Sequence, residues 1–369
     1  MHKIRVMTVF GTRPEAIKMA PIILELKKQK RDFESIVVAT AQHRKMMDQV
    51  LTAFDIELDY DLDVMKDNQS LAEITSNVLT QLDRVIKEVK PDIVLVHGDT
   101  TTTLAASLAA FYNQTKIGHV EAGLRTWDKY SPFPEEINRQ LTDVMADIYF
   151  APTVNSEENL RKERRNKKNI YVTGNTAIDA LKKTISIENR RNVFVPHDSQ
   201  NRIILVTMHR RENQGKPMEN VFAAIKEVIE EYPDIEIVYP VHLNPIIQKL
   251  TKELLGNHPR IHLIEPLDVI DFHNLIATTY MIMTDSGGIQ EEAPSLGIPV
   301  LVLRDETERP EGVAAGTLKL VGTDKENVKK IMTELLENKV VYNKMSVSQN
   351  PYGDGEAAGK ILAVIKDFF

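Results

Sequence analysis

One segment, Tyr280–Pro294 (YMIMTDSGGIQEEAP), has the residue types and spacing of a phosphate-binding turn. An apolar run breaks at Asp-Ser-Gly-Gly and continues as an acidic, helix-like stretch. A glycine-rich turn at a helix N-terminus leaves backbone N–H groups available where the helix dipole favours an anion. Glu291 and Glu292, one turn further on, could bind sugar or ribose hydroxyls. The segment indicates a site for a phosphorylated sugar or nucleotide, although an ordinary strand-to-helix turn has the same pattern.

Two cations follow the first predicted strand, in the stretch GTRPEAIK. Pro14 suits the first turn of a helix, so Arg13 and Lys18 would lie near a helix N-terminus. Positive charge is unfavourable at that end of the dipole, which suggests an anionic ligand. A salt bridge to Glu15 is the alternative explanation.

Carboxylates follow the third and fourth predicted strands. Asp99 in the stretch HGDT either caps the next helix or takes part in catalysis, and the pattern does not separate the two. Glu121 ends a His-x-Glu motif, but a zinc deaminase also needs cysteines, which are absent. Farther on, the prolines of SPFPEE stiffen a loop that presents Glu135 and Arg139. These side chains are candidates for acid/base chemistry, and no metal site is predicted.

The second half of the chain carries a different set of side chains. His209, Arg210 and Arg211 end its first predicted strand, and three potential cations are costly to bury without anions. This predicts a phosphate or carboxylate nearby. The loop at 304–312 adds Arg309, for which an exposed ion pair is an equally good explanation.

Composition narrows the class of protein. The chain has 369 residues, 42% of them hydrophobic, and a formal net charge of -7, which argues against nucleic-acid binding. The basic run RKERRNKK at 161–168 has no aromatic residue for base stacking. There is no cysteine, no signal-peptide core and no apolar run of membrane-spanning length. We therefore expect a cytoplasmic protein that has no membrane partner.

Short apolar runs alternate with helical periodicity, which predicts α/β domains with parallel sheets covered by helices on both faces. The GxxxxGK[ST] and GxGxxG phosphate motifs are absent. Six strands are predicted in each half. They are Arg5–Phe10, Ser35–Thr40, Ile93–Gly98, Ile117–Ala122, Asp147–Ala151 and Asn169–Thr173, then Ile203–Met208, Ile235–Pro240, Ile261–Glu265, Met281–Asp285, Val300–Arg304 and Leu318–Gly322.

The alternation predicts two Rossmann-like, doubly wound domains. Residues 1–173 form the first, with a C-terminal helix at 355–369 packing back on it, and residues 174–354 form a nucleotide-binding domain. Ligands of such sheets bind beyond the carboxyl ends of the strands. We therefore expect the site in a cleft between the two domains.

Seven motifs, in order along nearly the whole chain, resemble those of the bacterial non-hydrolysing UDP-N-acetylglucosamine 2-epimerases. They are GTRPEAIKMAP at 11–21, HGDT at 97–100, HVEAGLR at 119–125, SPFPEEINR at 131–139, HRREN at 209–213, TDSGGIQEEAP at 284–294 and RDETERPEG at 304–312. The resemblance implies the glycosyltransferase-B fold and a homodimer.

The resemblance also implies a reaction, the interconversion of UDP-N-acetylglucosamine and UDP-N-acetylmannosamine for cell-surface polysaccharide synthesis. UDP leaves C1 as the C2 proton is removed, and it re-adds to 2-acetamidoglucal after protonation on the other face. Such a scheme needs a base, an acid and fixed cations, but no cofactor and no metal. A hydrolysing epimerase, a glycosyltransferase of the same fold and a nucleotide-sugar sensor are the alternative functions.

By the same resemblance, the residues acquire roles. The acid/base set is Asp99, Glu121 and Glu135, with His209 close to the diphosphate and the reacting sugar; which carboxylate serves which face stays open. The substrate-binding candidates are Arg13, Lys18, Arg139, Phe272, Ser286, Gly287, Gly288, Glu292 and Arg309. Among these, Ser286 and the two glycines would hold the diphosphate and Glu292 the ribose. Phe272 would lie near the uracil, although core packing is the alternative.

Relatives are often activated by a second UDP-N-acetylglucosamine bound beside the active site. The block at 41–44 resembles that regulatory loop. The allosteric candidates are Gln42, His43, Gln69, Arg210 and His242. This chain has Lys45 and Asn68 where some relatives carry Gln and Arg, which leaves the strength of activation open.

Overall fold

The computed structural model describes residues 3–40, 44–64, 69–185, 200–307 and 309–369, with only the backbone described at 44–46. The chain divides into two compact units. Unit 1 is Met1–Lys183 with Tyr352–Phe369, and unit 2 is Thr184–Pro351. In the part of the chain that is described, no helix is long and apolar enough to cross a membrane.

The sheet of unit 1 is parallel throughout, with the strand order β3-β2-β1-β4-β5-β6-β7. Its strands are β1 Ile4–Phe10, β2 Phe33–Ala39, β3 Tyr60–Asp61, β4 Ile93–His97, β5 Lys116–Val120, β6 Ile148–Ala151 and β7 Ile170–Val172. Every residue of β4 is buried, as expected for a strand with helices on both sheet faces. All six predicted strands are present. The additional strand β3 was not predicted, because a strand of two residues is too short to show a periodic hydrophobic pattern.

Unit 2 contains a second parallel sheet, with the order β10-β9-β8-β11-β12-β13. Its strands are β8 Arg202–Thr207, β9 Ile235–Pro240, β10 Ile261–Ile264, β11 Met281–Thr284, β12 Val300–Val302 and β13 Leu318–Leu320. They correspond to the six predicted strands. One face packs on a core containing Phe222 and Tyr239, and the other on a smaller cluster around Leu275.

The described helices cover these sheets. They are α1 Arg13–Lys28, α2 Arg44–Phe54, α3 Leu71–Val89, α4 Thr101–Tyr112, α5 Glu135–Met145, α6 Val154–Lys162, α7 Thr176–Ile185, α8 Lys216–Glu231, α9 Pro245–Leu255, α10 Val269–Ile276, α11 Gly287–Glu292, α12 Pro310–Ala315, α13 Lys325–Glu337, α14 Lys339–Ser346 and α15 Ala357–Phe368. Helix α1 begins with a capping box between Thr12 and Glu15. Helix α15 packs on α1, where Lys366 Nζ lies 2.5 Å from Asp32 Oδ2.

The division between the units falls later than residue 173, where the sequence-based boundary lies. Helix α7 stays with unit 1 because it is bonded to the chain segment that returns there. Asn175 N donates to Tyr352 O at 2.7 Å, and Ala358 N donates to Asp179 Oδ1 at 2.8 Å. These bonds connect residues almost two hundred positions apart, so local sequence does not reveal them.

Both sheets change winding direction at one point, between β1 and β4 in unit 1 and between β8 and β11 in unit 2. Loops diverge at such a switch point and leave a crevice at the carboxyl ends of the strands. The four loops at these points begin at Gly11, Gly98, Met208 and Asp285. All four lead into predicted site residues, namely Arg13, Asp99, His209 and Ser286.

Candidate functional site

Glu121 lies at the end of β5, beside the switch point of unit 1. Its φ is +66°, in the left-handed region that non-glycine residues rarely adopt. Such a backbone costs about 1–3 kcal/mol and persists only where surrounding contacts hold it. The conformation therefore marks Glu121 as a side chain whose direction is set by the fold.

Three neighbours hold the Glu121 carboxylate from different elements. Lys18 on α1 forms a salt bridge to Oε2, with the two side chains 15% and 9% exposed. Asn175 Nδ2 donates to the same oxygen at 2.9 Å. His97 Nε2, at the end of β4, lies 3.7 Å from it. The predicted cation Lys18 thus pairs with a predicted acid/base residue.

Asp99 follows β4 and faces the same group of charges. Arg139 Nη1 lies 3.3 Å from its Oδ2. Burial raises the pKa of Asp99 to about 6; the charge of Arg139 opposes the rise, and Glu121 and Glu135 add to it. A carboxyl group with that pKa can gain or lose a proton near neutral pH, which suits general acid/base chemistry. Thr100, rather than Asp99, caps helix α4.

Glu135 is the first residue of α5 and is half-buried. The adjacent Glu136 is fully buried and fixes the loop, because its carboxylate accepts from Thr126 N at 3.0 Å and Trp127 N at 3.1 Å. Arg139 Nε lies 3.0 Å from Glu136 Oε2. Glu136 therefore orients Arg139 toward Asp99, a role that the sequence pattern did not reveal.

Two buried side chains in unit 1, His97 and Glu15, have surroundings that the sequence pattern did not reveal. His97 is 3% exposed, and burial lowers its pKa to about 3, so the imidazole is neutral beside Glu121. Glu15 accepts hydrogen bonds from Thr12 N at 2.8 Å and Thr100 Oγ1 at 2.7 Å, and burial raises its pKa. Neither is identifiable from the motif alone, because both depend on contacts with other loops.

His209 follows β8 at the switch point of unit 2 and is held by Asp285. The fully buried Asp285 Oδ2 accepts from the backbone N of His209 and of Arg210, each at 2.9 Å, and from Asn213 Nδ2 at 3.0 Å. Its other oxygen lies 3.3 Å from His209 Nδ1. One carboxylate thus fixes the backbone at His209 and also lies close to its ring.

The environment of His209 favours its neutral form. Burial lowers the pKa of the imidazole; Asp285 opposes this, while His242 and Arg210 lower the pKa further. The His242 ring stacks on the His209 ring, with centroids 5.5 Å apart and planes 9° from parallel. Two allosteric candidates, Arg210 and His242, therefore lie beside a catalytic candidate.

The Ser-Gly-Gly turn begins helix α11 as predicted, with Ser286 at the N-cap position. The Arg309 guanidinium lies over the turn, so that a Cβ added to Gly287 would be 2.8 Å from Nη1. Arg309 Nε also lies 2.9 Å from Oε1 of the buried Glu291. Glu291 is therefore the counter-ion of Arg309, whereas Glu292 is more exposed.

Glu292 and Phe272 lie on the α10 side of the turn. His273 Nε2 is 3.6 Å from Glu292 Oε2, and Thr184 Oγ1 is 2.6 Å from His273 Nδ1. Phe272 is half-buried and packs against the core cluster around Leu275. Packing accounts for part of the Phe272 side chain, and its remaining surface is accessible.

The remaining predicted residues are dispersed. Gln42 and His43 lie outside the described residues, and Gln69 is half-buried just before α3. Arg13 is half-buried in the first turn of α1, near the switch point of unit 1. Within the described ranges, no group of three or more His, Asp or Glu side chains is arranged to hold a metal ion.

Comparisons with known proteins show which proteins this chain resembles. A family model described as UDP-N-acetylglucosamine 2-epimerase matches residues 25–366. The UDP-N-acetylglucosamine 2-epimerase of Bacillus subtilis (strain 168) is 59% identical over 362 residues, which cover 98% of this chain and 95% of that protein.

Solved structures are similar over the whole length. One from Listeria monocytogenes has a TM-score of 0.95 and 59% identity, covering 100% of this chain and 97% of that one. UDP-GlcNAc 2-epimerase from Neisseria meningitidis, solved bound to UDP-GlcNAc, has a TM-score of 0.89 and 51% identity, covering 99% of this chain and 100% of that one.

A more distant likeness concerns the fold alone. The glycosyltransferase SnogD of Streptomyces nogalater has a TM-score of 0.62 at 15% identity, over 98% of this chain and 99% of that one. Together with the two doubly wound parallel sheets, this confirms the predicted α/β fold of the glycosyltransferase-B type. The full-length matches at more than half identity also confirm the resemblance in the motifs, and the chain belongs to the UDP-N-acetylglucosamine 2-epimerase family.

Proposed function

We propose that the protein interconverts UDP-N-acetylglucosamine and UDP-N-acetylmannosamine without net hydrolysis, by elimination and re-addition of UDP. The arrangement of Asp99 and Glu121 at the switch point of unit 1 carries the proposal, since two carboxylates there have fixed and different electrostatic partners. A relative from Neisseria meningitidis was solved with UDP-GlcNAc, which supports the choice of substrate.

The proposed reaction has an elimination step and a re-addition step. A base takes the C2 proton, the C–H electrons form the C1=C2 double bond of 2-acetamidoglucal, and the C1–O bond breaks to release UDP. In the return step an acid protonates C2 from the opposite face while a UDP oxygen re-forms the bond to C1. The chain gains no proton overall and needs no oxidant.

The carboxylates of unit 1 are proposed to carry these protons. The Lys18 ammonium and the Asn175 amide both contact Oε2 of Glu121 and fix the position of this carboxylate, which is proposed to accept or donate a proton at C2. Asp99, with a pKa of about 6, can serve in either protonation state. Glu135 raises the pKa of Asp99 and so belongs to the same group. Assigning each carboxylate to one sugar face requires kinetics of the separate variants.

The residues of unit 2 are proposed to hold the UDP portion. Backbone N–H groups of Gly287 and Gly288 at the start of α11 and the Arg309 cation suit a diphosphate. Glu292 is proposed to accept hydrogen bonds from ribose hydroxyls, and the exposed part of Phe272 is proposed to contact the uracil. A neutral His209 is proposed to hydrogen-bond the departing diphosphate.

The proposal extends to regulation and assembly. A second UDP-N-acetylglucosamine would bind near Arg210 and His242 and act on His209 through the stacked ring. By the family resemblance, Gln42, His43 and Gln69 are proposed to take part in the same regulation. A homodimer is the expected assembly, and light scattering of the purified protein measures it. The product is proposed to supply cell-surface polysaccharide synthesis.

Incubation with UDP-N-acetylglucosamine alone in deuterated water, followed by NMR, tests the reaction. We expect UDP-N-acetylmannosamine with deuterium at C2. Accumulation of free N-acetylmannosamine would indicate a hydrolysing enzyme instead. An unchanged substrate pool would contradict the proposal and favour a transferase that needs an acceptor, or a sensor without turnover.

A further inference from the structure

Asn175 contacts a proposed catalytic group, although no motif in the sequence identifies it as functional. Its side chain is 3% exposed, and its Nδ2 donates to Glu121 Oε2 at 2.9 Å. We infer that Asn175 is a positioning residue that sets the direction of the Glu121 carboxylate. The inference rests on the proposed function, because Glu121 acts on substrate only within that reaction.

The amide of Asn175 has a fixed orientation. Its Oδ1 accepts from Ala177 N at 2.9 Å, which makes it the N-cap of α7. Its backbone N donates to Tyr352 O at 2.7 Å. Since the oxygen is committed to the helix cap, the two amide hydrogens necessarily point the other way, toward Glu121.

Two glycines hold the backbone of Asn175 in place. Gly174 and Gly353 are in close contact, and a Cβ on Gly353 would lie 3.0 Å from the Gly174 Cα. Both have positive φ, +90° and +118°, so neither position suits a side chain. The segment that returns to unit 1 at Tyr352 thus packs directly against Gly174, the residue before Asn175. This contact holds the backbone of Asn175 rigidly.

Lys18 and Asn175 donate to Glu121 in different ways. Lys18 provides a point charge on a flexible stem, which stabilises the carboxylate with little directional control. Asn175 provides a planar, buried and capped amide, which fixes direction. Glu121 has φ +66°, a backbone conformation that persists only where surrounding contacts hold it. A directional hydrogen bond from Asn175 is one such contact.

Two substitutions separate positioning from helix capping. Asn175→Asp keeps the cap oxygen but presents an oxygen to Glu121 in place of the N–H donor, and Asn175→Ser keeps a good cap but is too short to reach Glu121. We expect kcat for C2 deuterium exchange to fall about tenfold to a hundredfold in both, with KM changed less than about twofold. We expect a larger loss in Asn175→Asp than in Asn175→Ser. In the pH profile of kcat for Asn175→Asp, the acidic limb should move to higher pH.

A purely structural cap predicts the opposite pattern, with kcat near the wild-type value in both variants. That result would overturn the inference. If one variant does not fold, the test rests on the other variant, which also retains the cap. Calorimetric binding of UDP reports that unit 2 is intact.

A double-substitution cycle gives a second, independent test. In the Glu121→Gln background, Asn175→Ser should cause no further loss of exchange, because the group that it positions is already altered. Multiplicative losses would contradict the inference. Absence of C2 exchange in the unaltered protein would instead refute the proposed function, so the two failures are distinguishable.

Discussion

The switch points of the two units have the same strand order but opposite side-chain chemistry. In unit 1 the loops after β4 and β5 present the carboxylates Asp99 and Glu121, each with its own cationic partner. In unit 2 the loops after β8 and β11 present His209 and a glycine turn covered by Arg309, and the carboxylate of Asp285 is fully buried and internally bonded. We propose that the crevice of unit 1 moves protons and that the crevice of unit 2 holds an anion.

The comparison shows how the same fold supports the two tasks. Both sheets supply rigid strand ends, and function follows from which groups the loops leave available. In unit 1 burial shifts the pKa of Asp99 toward neutrality, so its proton can move. In unit 2 Asp285 orients backbone N–H groups, and the burial of His209 itself lowers the pKa of its imidazole and favours the neutral form.

The largest expected effect is on the proton-transfer side. Glu121→Gln keeps the shape of the side chain but removes its ability to accept a proton, and we expect kcat to fall by at least about a hundredfold. UDP affinity, measured by calorimetry, should stay within a few fold of wild type. A near-normal kcat would mean that another group removes the C2 proton.

A similar but smaller loss is expected in unit 2 for His209→Asn. The Asn amide is shorter than the imidazole and weakens the proposed hydrogen bond to the departing diphosphate, so we expect kcat to fall about tenfold to a hundredfold. A loss below about tenfold would restrict His209 to binding. Steady-state rates across pH 7–9 test this role: burial lowers the pKa of His209 and favours the neutral imidazole, so a hydrogen-bonding role predicts a loss of similar size over that range.

Gly287→Ala tests the anion-holding side. The added Cβ would lie 2.8 Å from the Arg309 guanidinium and displace it from the turn. We expect KM to rise roughly tenfold, the free-energy equivalent of one weakened charge-assisted hydrogen bond, with kcat reduced much less. Gly359→Ala is a matched control, since a Cβ there meets no atom within 4 Å. Equal kinetics in the two variants would contradict the assigned position of Arg309.

The smallest effect concerns stability. The pKa of Asp99 is raised from 3.8 to about 6, so the folded state binds the proton more tightly than the unfolded chain, and stability is lost as pH rises through about 6. Asp99→Asn removes this penalty and should stabilise the protein by about 1–3 kcal/mol at pH 8. Near pH 3.5 the gain should disappear. Urea unfolding at the two pH values measures it, and equal gains at both would contradict the assigned cause.

Much of the fold was predictable because parallel strands are short, apolar and regularly spaced. All twelve predicted strands are present, whereas β3, with only Tyr60 and Asp61, had too few residues to show a pattern. The turn at Ser286 was also predictable, because glycine at a strand-to-helix junction has a local physical reason.

The partners within the site were not predictable in the same way. Asn175 lies 54 positions from Glu121, and His97 becomes neutral only because other loops bury it. Glu136 looked equivalent to Glu135 in sequence, yet it is the one that packs inward and fixes Arg139. Contacts between distant loops decide these roles, and a single sequence contains no direct record of them.

The central claim, that unit 1 moves protons while unit 2 holds UDP, has a direct test in the initial rate of deuterium incorporation at C2. The rate is measured by NMR for Glu121→Gln and Gly287→Ala at rising concentrations of UDP-N-acetylglucosamine. We predict that incorporation stays below about a hundredth of the wild-type rate in Glu121→Gln at every concentration, whereas Gly287→Ala recovers most of its rate at saturation. Recovery by Glu121→Gln at saturation, or a persistent loss in Gly287→Ala alone, would contradict the account.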